Sequence, residues 1–334
     1  MTARRYFPAV CGLLLCGAVL AYAAVEPAVA LGGWLAAFAF WSGLPIAALI
    51  LLAMTRLIPG VWRQGLAPGA EAALPLLALA ALALLPLLIA PRVLYPWADE
   101  VMAGFRGWYL SSWPFRLRGV LFFALAGLLA WGLVRRRPAV PMAILTLILL
   151  VPFQDLVATD WLMSLDPDFH SSGFGLYILS IQMVTALAVL IPLRVMADKT
   201  APAGVLAGVW LTALMLWAYL AFMHYFINWS TDLAPGVRWY QRRGEGAWAV
   251  VEYAVAMLGL LPLFLLFFPP IRRSRLALAR MAPFVLLGKV LETAWLVLPD
   301  LPRDQGPAGV AGVLALLGMG LLSWVGLRWR EVRA

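Results

Sequence analysis

The sequence predicts an all-α polytopic membrane protein of about ten transmembrane helices, and three observations carry that reading. The chain has 334 residues, of which 64% are hydrophobic and 12% charged. Its mean hydropathy is +0.91, which excludes a soluble globular domain. Apolar runs also recur along the whole length, most of them reaching the ~20 residues that a spanning helix needs. Basic residues, finally, alternate between the two sides of those runs.

Ten runs stand out, at 7–25, 31–54, 72–90, 117–134, 141–163, 173–197, 203–230, 247–268, 280–298 and 308–328. Backbone groups in lipid must bond within their own segment, and membrane strands would alternate in polarity, so these runs are helices. Prolines within them (Pro45, Pro75, Pro86, Pro152, Pro192, Pro262 and Pro283) read as tolerated kinks. The first run also fits a signal peptide with Ala21-Tyr-Ala-Ala24 as its cleavage site, but its near-spanning length favours a retained helix. With no internal repeat or low-complexity linker, residues 1–334 form a single transmembrane domain.

The net charge of +9 sets orientation rather than nucleic-acid binding. Sixteen basic residues fall on one side: Arg4, Arg5, Arg56, Arg63, Arg135, Arg136, Arg137, Arg194, Lys199, Arg272, Arg273, Arg275, Arg280, Arg328, Arg330 and Arg333. Eight fall on the other: Arg92, Arg106, Arg116, Arg118, Arg238, Arg242, Arg243 and Arg303. The positive-inside rule then places both termini in the cytoplasm, in agreement with an even number of spans. The longest loop, 91–116, carries Trp97, Trp108, Tyr109 and Trp113 and reads as an interfacial segment. A second loop, 231–246, mixes charge with aromatics, which suits either contact with another subunit or solvent.

Several chemistries are missing. Cys11 and Cys16 are the only cysteines, too few for an iron–sulfur cluster, and no C-x-x-C-H motif attaches haem. No G-x-x-x-x-G-K loop binds a nucleoside triphosphate. His170 and His224 are the only histidines, and His170 lies in a loop, so a haem b held by this chain alone is disfavoured, and no metal site is expected.

What remains is a set of ionisable residues inside the apolar runs, where each costs roughly 2.5–3.5 kcal/mol unless it pairs, faces a cavity or moves protons. At ~1.5 Å per residue, Asp155 lies ~21 Å along a core of ~30 Å, Glu252 ~8 Å below the outer face and Glu292 ~18 Å in. Asp160 is near the outer boundary, Lys289 near mid-plane, and His224 forms a polar stripe with Asn228 and Thr231. Lys289 and Glu292 also fit a simple ion pair, His224 an interfacial hydrogen-bonder, Asp160 a helix anchor, and Asp166-Pro167-Asp168 a turn. Asp155 and Glu252 have no basic residue within a turn on their own helices, so they either partner across helices or titrate.

The stretch Asp160-Trp161-Leu-Met-Ser164-Leu-Asp166-Pro167, followed by Ser171-Ser172-Gly-Phe-Gly175-Leu-Tyr177, resembles the signature of the ActF-type membrane subunit of bacterial alternative complex III, a quinol:cytochrome c oxidoreductase. Trp217-Ala-Tyr219, Trp229, Trp239-Tyr240, Arg242 and Trp295-Leu-Val with Pro299 follow in order, and the likeness covers Val151 to Pro299. The chain departs from that pattern at Ala234-Pro235-Gly236, where an acidic pair is usual, and at Leu258, Lys289 and His224. The resemblance implies two four-helix bundles with peripheral helices, related to quinol-binding subunits of the polysulfide-reductase type. It implies haem and iron–sulfur centres in partner subunits, quinol as the ligand, and the bacterial inner membrane as the location. Under it Asp155, Asp160, Glu252, Lys289 and Glu292 become candidates for proton transfer, and His224 and Asn228 for quinone contact. A proton-coupled secondary transporter and a ligand-free scaffold are the competing expectations.

Overall fold

The computed structural model describes residues 3–99, 103–135, 139–301 and 305–331. Arg136, Arg137, Arg303 and Arg333 of the charge pattern lie outside the described residues. The fold is all α: no strand occurs among the described residues, and fourteen α-helices follow one another along the chain. They are α1 (Ala3–Tyr22), α2 (Pro27–Leu57), α3 (Trp62–Ala73), α4 (Leu76–Ile89), α5 (Gly104–Tyr109), α6 (Ser112–Arg135) and α7 (Val140–Trp161). Then come α8 (Phe174–Ala197), α9 (Ala203–Thr231), α10 (Ala234–Gly244), α11 (Gly246–Leu265), α12 (Pro269–Arg273), α13 (Arg275–Val297) and α14 (Gln305–Glu331).

Every apolar run of the sequence is helical, yet the runs are not equivalent. Among the described residues, eight helices are individually long and apolar enough to cross a membrane: α2, α6, α7, α8, α9, α11, α13 and α14. The third run is broken, because α3 and α4 meet at a 46° bend across Leu74-Pro75. Pro75 lacks an N–H for the preceding turn, so the ladder stops there. In α1 the apolar part is only Tyr6–Tyr22. Helix α13 starts at Arg275, five residues before the apolar run, because the Ser274 hydroxyl caps it by accepting from the Ala277 N–H at 3.2 Å.

Two closed rings of four helices make up the body. In the first, α2, α4, α6 and α7 each pack on the next and α7 returns to α2; in the second, α8, α9, α11 and α13 do the same. The rings meet where α2 and α7 lie against α8, and α2 against α13. Thus α2 is the most enclosed helix, whereas α11 exposes most of its surface to the lipid side. Helices α1 and α14 form a layer outside the rings, with α14 laid on α2. That crossing is tight: a Cβ on Gly33 would stand 2.6 Å from the Gly312 nitrogen. Close backbone approach through small residues is how helices associate in lipid, where apolar side chains gain little by leaving the bilayer.

The predicted interfacial loop divides into two parts. Trp97 is fully buried, stacked on Tyr95 at 5.2 Å, with its indole N–H donating to the Ser164 hydroxyl at 3.1 Å. Trp108 and Trp113 remain exposed.

Candidate functional site

The ionisable residues gather at the end of the rings where α7, α9 and α13 terminate, and neighbours on other helices sort them. Asp160 is buried and accepts from Arg118 twice, at 2.6 Å from Nε and 3.0 Å from Nη2. Such bidentate, charge-assisted bonding fixes α7 to α6. The Asp155 carboxylate packs against the backbone of Gly175, in the first turn of α8. It acts there as a side chain seated on the positive end of a helix. A Cβ on Gly175 would fall within the Asp155 carboxylate, so glycine is required for that approach.

Deeper in the second ring, Lys289 and Glu292 are buried and paired, with Nζ 2.6 Å from Oε2. The other carboxylate oxygen accepts from the Tyr177 hydroxyl at 2.5 Å and from the Trp217 indole at 2.8 Å. The ammonium also stands 3.2 Å from the centre of the Trp217 ring, a cation–π contact. Both charges are compensated, as burial in a membrane demands.

Above this pair lies a cavity of about 480 Å³ between α8, α9, α10, α11 and α13. Its polar wall is Tyr177, His224, Tyr240, Glu252 and Glu292, and its apolar wall includes Ala221 and Ala256. His224 is 4% exposed, stacked nearly parallel on Tyr177 with ring centres 5.4 Å apart. Its Nδ1 lies 2.6 Å from the Tyr240 hydroxyl, while its Nε2 is buried without a hydrogen-bond partner. Burial, reinforced by the Glu252 charge, pushes the Tyr240 hydroxyl well above its ordinary pKa, so it stays protonated. Either proton arrangement satisfies this pair; with the Tyr240 O–H donating to Nδ1, the imidazole proton sits on Nε2, a donor free for a ligand oxygen. Glu252 is half-buried in the same wall and makes no ion pair among the described residues. Asn228, one turn along α9, donates to the His224 carbonyl at 2.8 Å and does not line the cavity.

Helix α10 roofs this cavity. The segment 231–246 read as a loop, yet Ala234–Gly244 is helical and buries Trp239 and Arg243. Arg243 donates to the carbonyls of Trp295 at 3.1 Å, Leu296 at 2.9 Å and Trp239 at 3.2 Å, and pairs with Asp300. Its guanidinium lies 3.6 Å from the centre of the Trp239 ring. Burial lowers its pKa and the Asp300 charge opposes that shift. Arg242 reaches both Asp300, at 3.3 Å, and Asp166. The Asp166 carboxylate also accepts the Asp168 N–H at 3.1 Å, so the Asp-Pro-Asp turn both closes the α7–α8 connection and anchors the roof.

Of the candidates, the structure therefore brings His224, Glu252 and Glu292 to one cavity, with Lys289 behind Glu292, and leaves Asp155, Asp160 and Asn228 apart from it. It adds Tyr177, Trp217, Tyr240 and Arg243. The i, i+4 spacing of Trp239 and Arg243 was the one sequence signal for the roof. Among the described residues, no group of three or more His, Cys, Asp and Glu side chains is placed to hold a metal. Compared with known proteins, the chain matches no family model and no curated protein.

Proposed function

We propose that the chain is a multi-pass subunit of the bacterial cytoplasmic membrane that binds a quinol and passes its protons outward within an alternative-complex-III-like oxidoreductase. Both termini face the cytoplasm, and partner subunits carry the iron–sulfur and haem centres that take the electrons. The observation that carries this reading is His224: one ring nitrogen is held by Tyr240 while Nε2 stays buried and unbonded in the cavity wall. A buried donor without a partner costs about 1–3 kcal/mol, and a ligand oxygen would recover it. The polar end beside apolar walls suits a ring bearing oxygens and a lipid-soluble tail. The two closed rings of helices support the resemblance as well.

His224 Nε2–H would hold one quinol oxygen. Glu252, half-buried and unpaired, would accept a hydroxyl proton and release it toward the near end of the bundle. Oxidation of the quinol to the quinone releases two protons and two electrons, the electrons passing to the partner centres. Glu292 and Lys289, through Tyr177, would hold the ring stack that orients His224.

A secondary transporter finds support in one feature, the bent α3–α4 pair. Alternating-access sites place facing half-helix ends around the substrate. At this break the side chains are Leu74 and Pro75, and the nearby Glu71 pairs with Arg56 at 3.6 Å.

The test is purification of the tagged chain in mild detergent, read by mass spectrometry and a reduced-minus-oxidised haem spectrum, then by quinol oxidation in His224→Ala and Glu252→Gln complexes. Co-purifying redox subunits and a large loss of turnover in assembled variant complexes are expected. A lone, haem-free protein, or variants that oxidise quinol normally, would overturn the proposal.

A further inference from the structure

The cavity beside His224 is roofed toward water and open toward lipid. On the water side α10 lies across it: Tyr240 lines the cavity, and the adjacent Trp239 and Arg243 are buried, with Arg243 bonded to the end of α13. The side between α9 and α11 is different. Phe222 and Tyr225 on α9 and Leu260 on α11 line the cavity and are exposed on the outer surface as well, Phe222 at 59% and Leu260 at 47%. A side chain that meets both the cavity and the surface marks a rim, so the mouth lies between these two helices. Both are long and apolar enough to cross the membrane. Leu260 stands ~21 Å along α11 from its start at Gly246, so the mouth reaches hydrocarbon depth.

The sequences of the two helices account for this slit. They touch where the Trp217 ring lies against Gly259: a Cβ on that glycine would stand 2.3 Å from the ring, so the contact closes the slit at its deep end. Nearer the roof the cavity is lined by Ala218 and Ala221 on α9 and by Ala256 on α11. Such short side chains leave the space between the helices unfilled. Glu252, Ala256 and Leu260 follow one another at i, i+4 and i+8, which places them on one face of α11. That face runs from a carboxylate at the polar end of the cavity to an apolar side chain in contact with lipid.

We propose that the ligand enters the cavity sideways from the bilayer through this slit, and that its apolar tail stays between α9 and α11 while its polar head lies against His224 and Glu252. The inference rests on the quinol reading of the site and goes beyond it in naming the route and the residues that set it. The ligand is drawn from the membrane, because a water-soluble solute would have to pass the roof. The tail exchanges one hydrocarbon environment for another and gains little by the move, so the head supplies affinity and the slit supplies access. Ala221 and Ala256 are the positions whose size decides what passes.

Two photoreactive benzoquinones test it on the full chain, purified with its partners and returned to liposomes. One carries an azide on its ring and the other a diazirine at the end of a decyl tail, and labelled peptides are read by mass spectrometry. The ring probe is expected to label the cavity around His224 and Tyr240, and the tail probe α9 and α11 around Phe222 and Leu260. Ring labelling in the cavity with tail labelling away from α9 and α11 overturns the slit and leaves the quinol reading standing. No labelling of the cavity by either probe overturns both. In turnover assays Ala256→Trp should raise the KM for a decyl-tailed quinol by about tenfold or more with kcat little changed, the mark of lost binding. Met257→Trp, at an exposed neighbour that does not line the cavity, should match the parent. A parental KM in an assembled Ala256→Trp complex overturns the proposal.

Discussion

The Lys289–Glu292 pair offers a thermodynamic test of the buried site that is independent of its ligand. Removing one partner from a buried ion pair costs about 3–5 kcal/mol, whereas replacing both with well-packed neutral groups is often near neutral. The surroundings set the order of the single variants. In Lys289→Met the carboxylate keeps its bonds from Tyr177 and Trp217, so the loss should sit at the low end, about 3 kcal/mol. In Glu292→Gln the amide oxygen can keep those two donors, but the NH2 then faces the buried ammonium. That leaves the charge with only the Trp217 ring for compensation. Its cost should reach about 5 kcal/mol, unless the lysine gives up its proton. The double variant faces neither difficulty and should lie within about 2 kcal/mol of the parent, a coupling of several kcal/mol. Equilibrium unfolding in mixed detergent micelles, run as a double-mutant cycle, measures this directly. If the two single effects simply add, to within about 0.5 kcal/mol, the ion pair is not what stabilises this part of the second ring.

Other expectations follow from single contacts. Gly175→Ala should cost about 1–3 kcal/mol by overpacking, because its methyl group would occupy the place of the Asp155 carboxylate; a lower Tm checks it. Asp155→Ala should cost about 0.5–2 kcal/mol as the loss of a helix-end acceptor, whereas Asp155→Asn should leave quinol turnover intact; a collapse of turnover in a stable Asn variant would return Asp155 to the proton path. Arg243→Met should release the roof helix, so trypsin should cut after Arg238 and Arg242 many times faster than in the parent, and equal rates would show that α10 is held by something else. Gly33→Val should separate α14 from α2, which a lower Tm and loss of a cysteine cross-link between those helices would register.

Much of the fold was legible because long apolar runs have a single stable conformation in lipid, and all ten runs are helical. Pro75 marked a kink in its run, though not that the helix breaks there by 46°, and periodicity hid the cap at Ser274 that starts α13 early. Helix α10 escaped for a different reason. It is an eleven-residue, arginine-rich segment whose helicity is supported by tertiary bonds from Arg243 to the end of α13, and neither propensity nor polarity announces those. The side chains that carry charge were equally visible, but their partners were not. Asp160 finds Arg118 across 42 positions, Glu292 finds Tyr177 across 115, and Asp155 finds the first turn of α8 rather than a cation.

That difference separates anchoring roles from functional ones. A carboxylate in the membrane draws attention as a potential proton carrier because its burial is costly, yet the cost disappears once a neighbouring helix supplies the compensating donor. Asp155, Asp160 and the Lys289–Glu292 pair all receive such compensation, and their first role is to fix one helix on another. Among the described residues, Glu252 has no cation and His224 Nε2 has no hydrogen-bond partner. In a protein whose other buried charges are so fully matched, these unmatched groups mark the places where something other than the chain completes the bonding. Both share one cavity wall. Ligand chemistry should therefore be sought in the cavity.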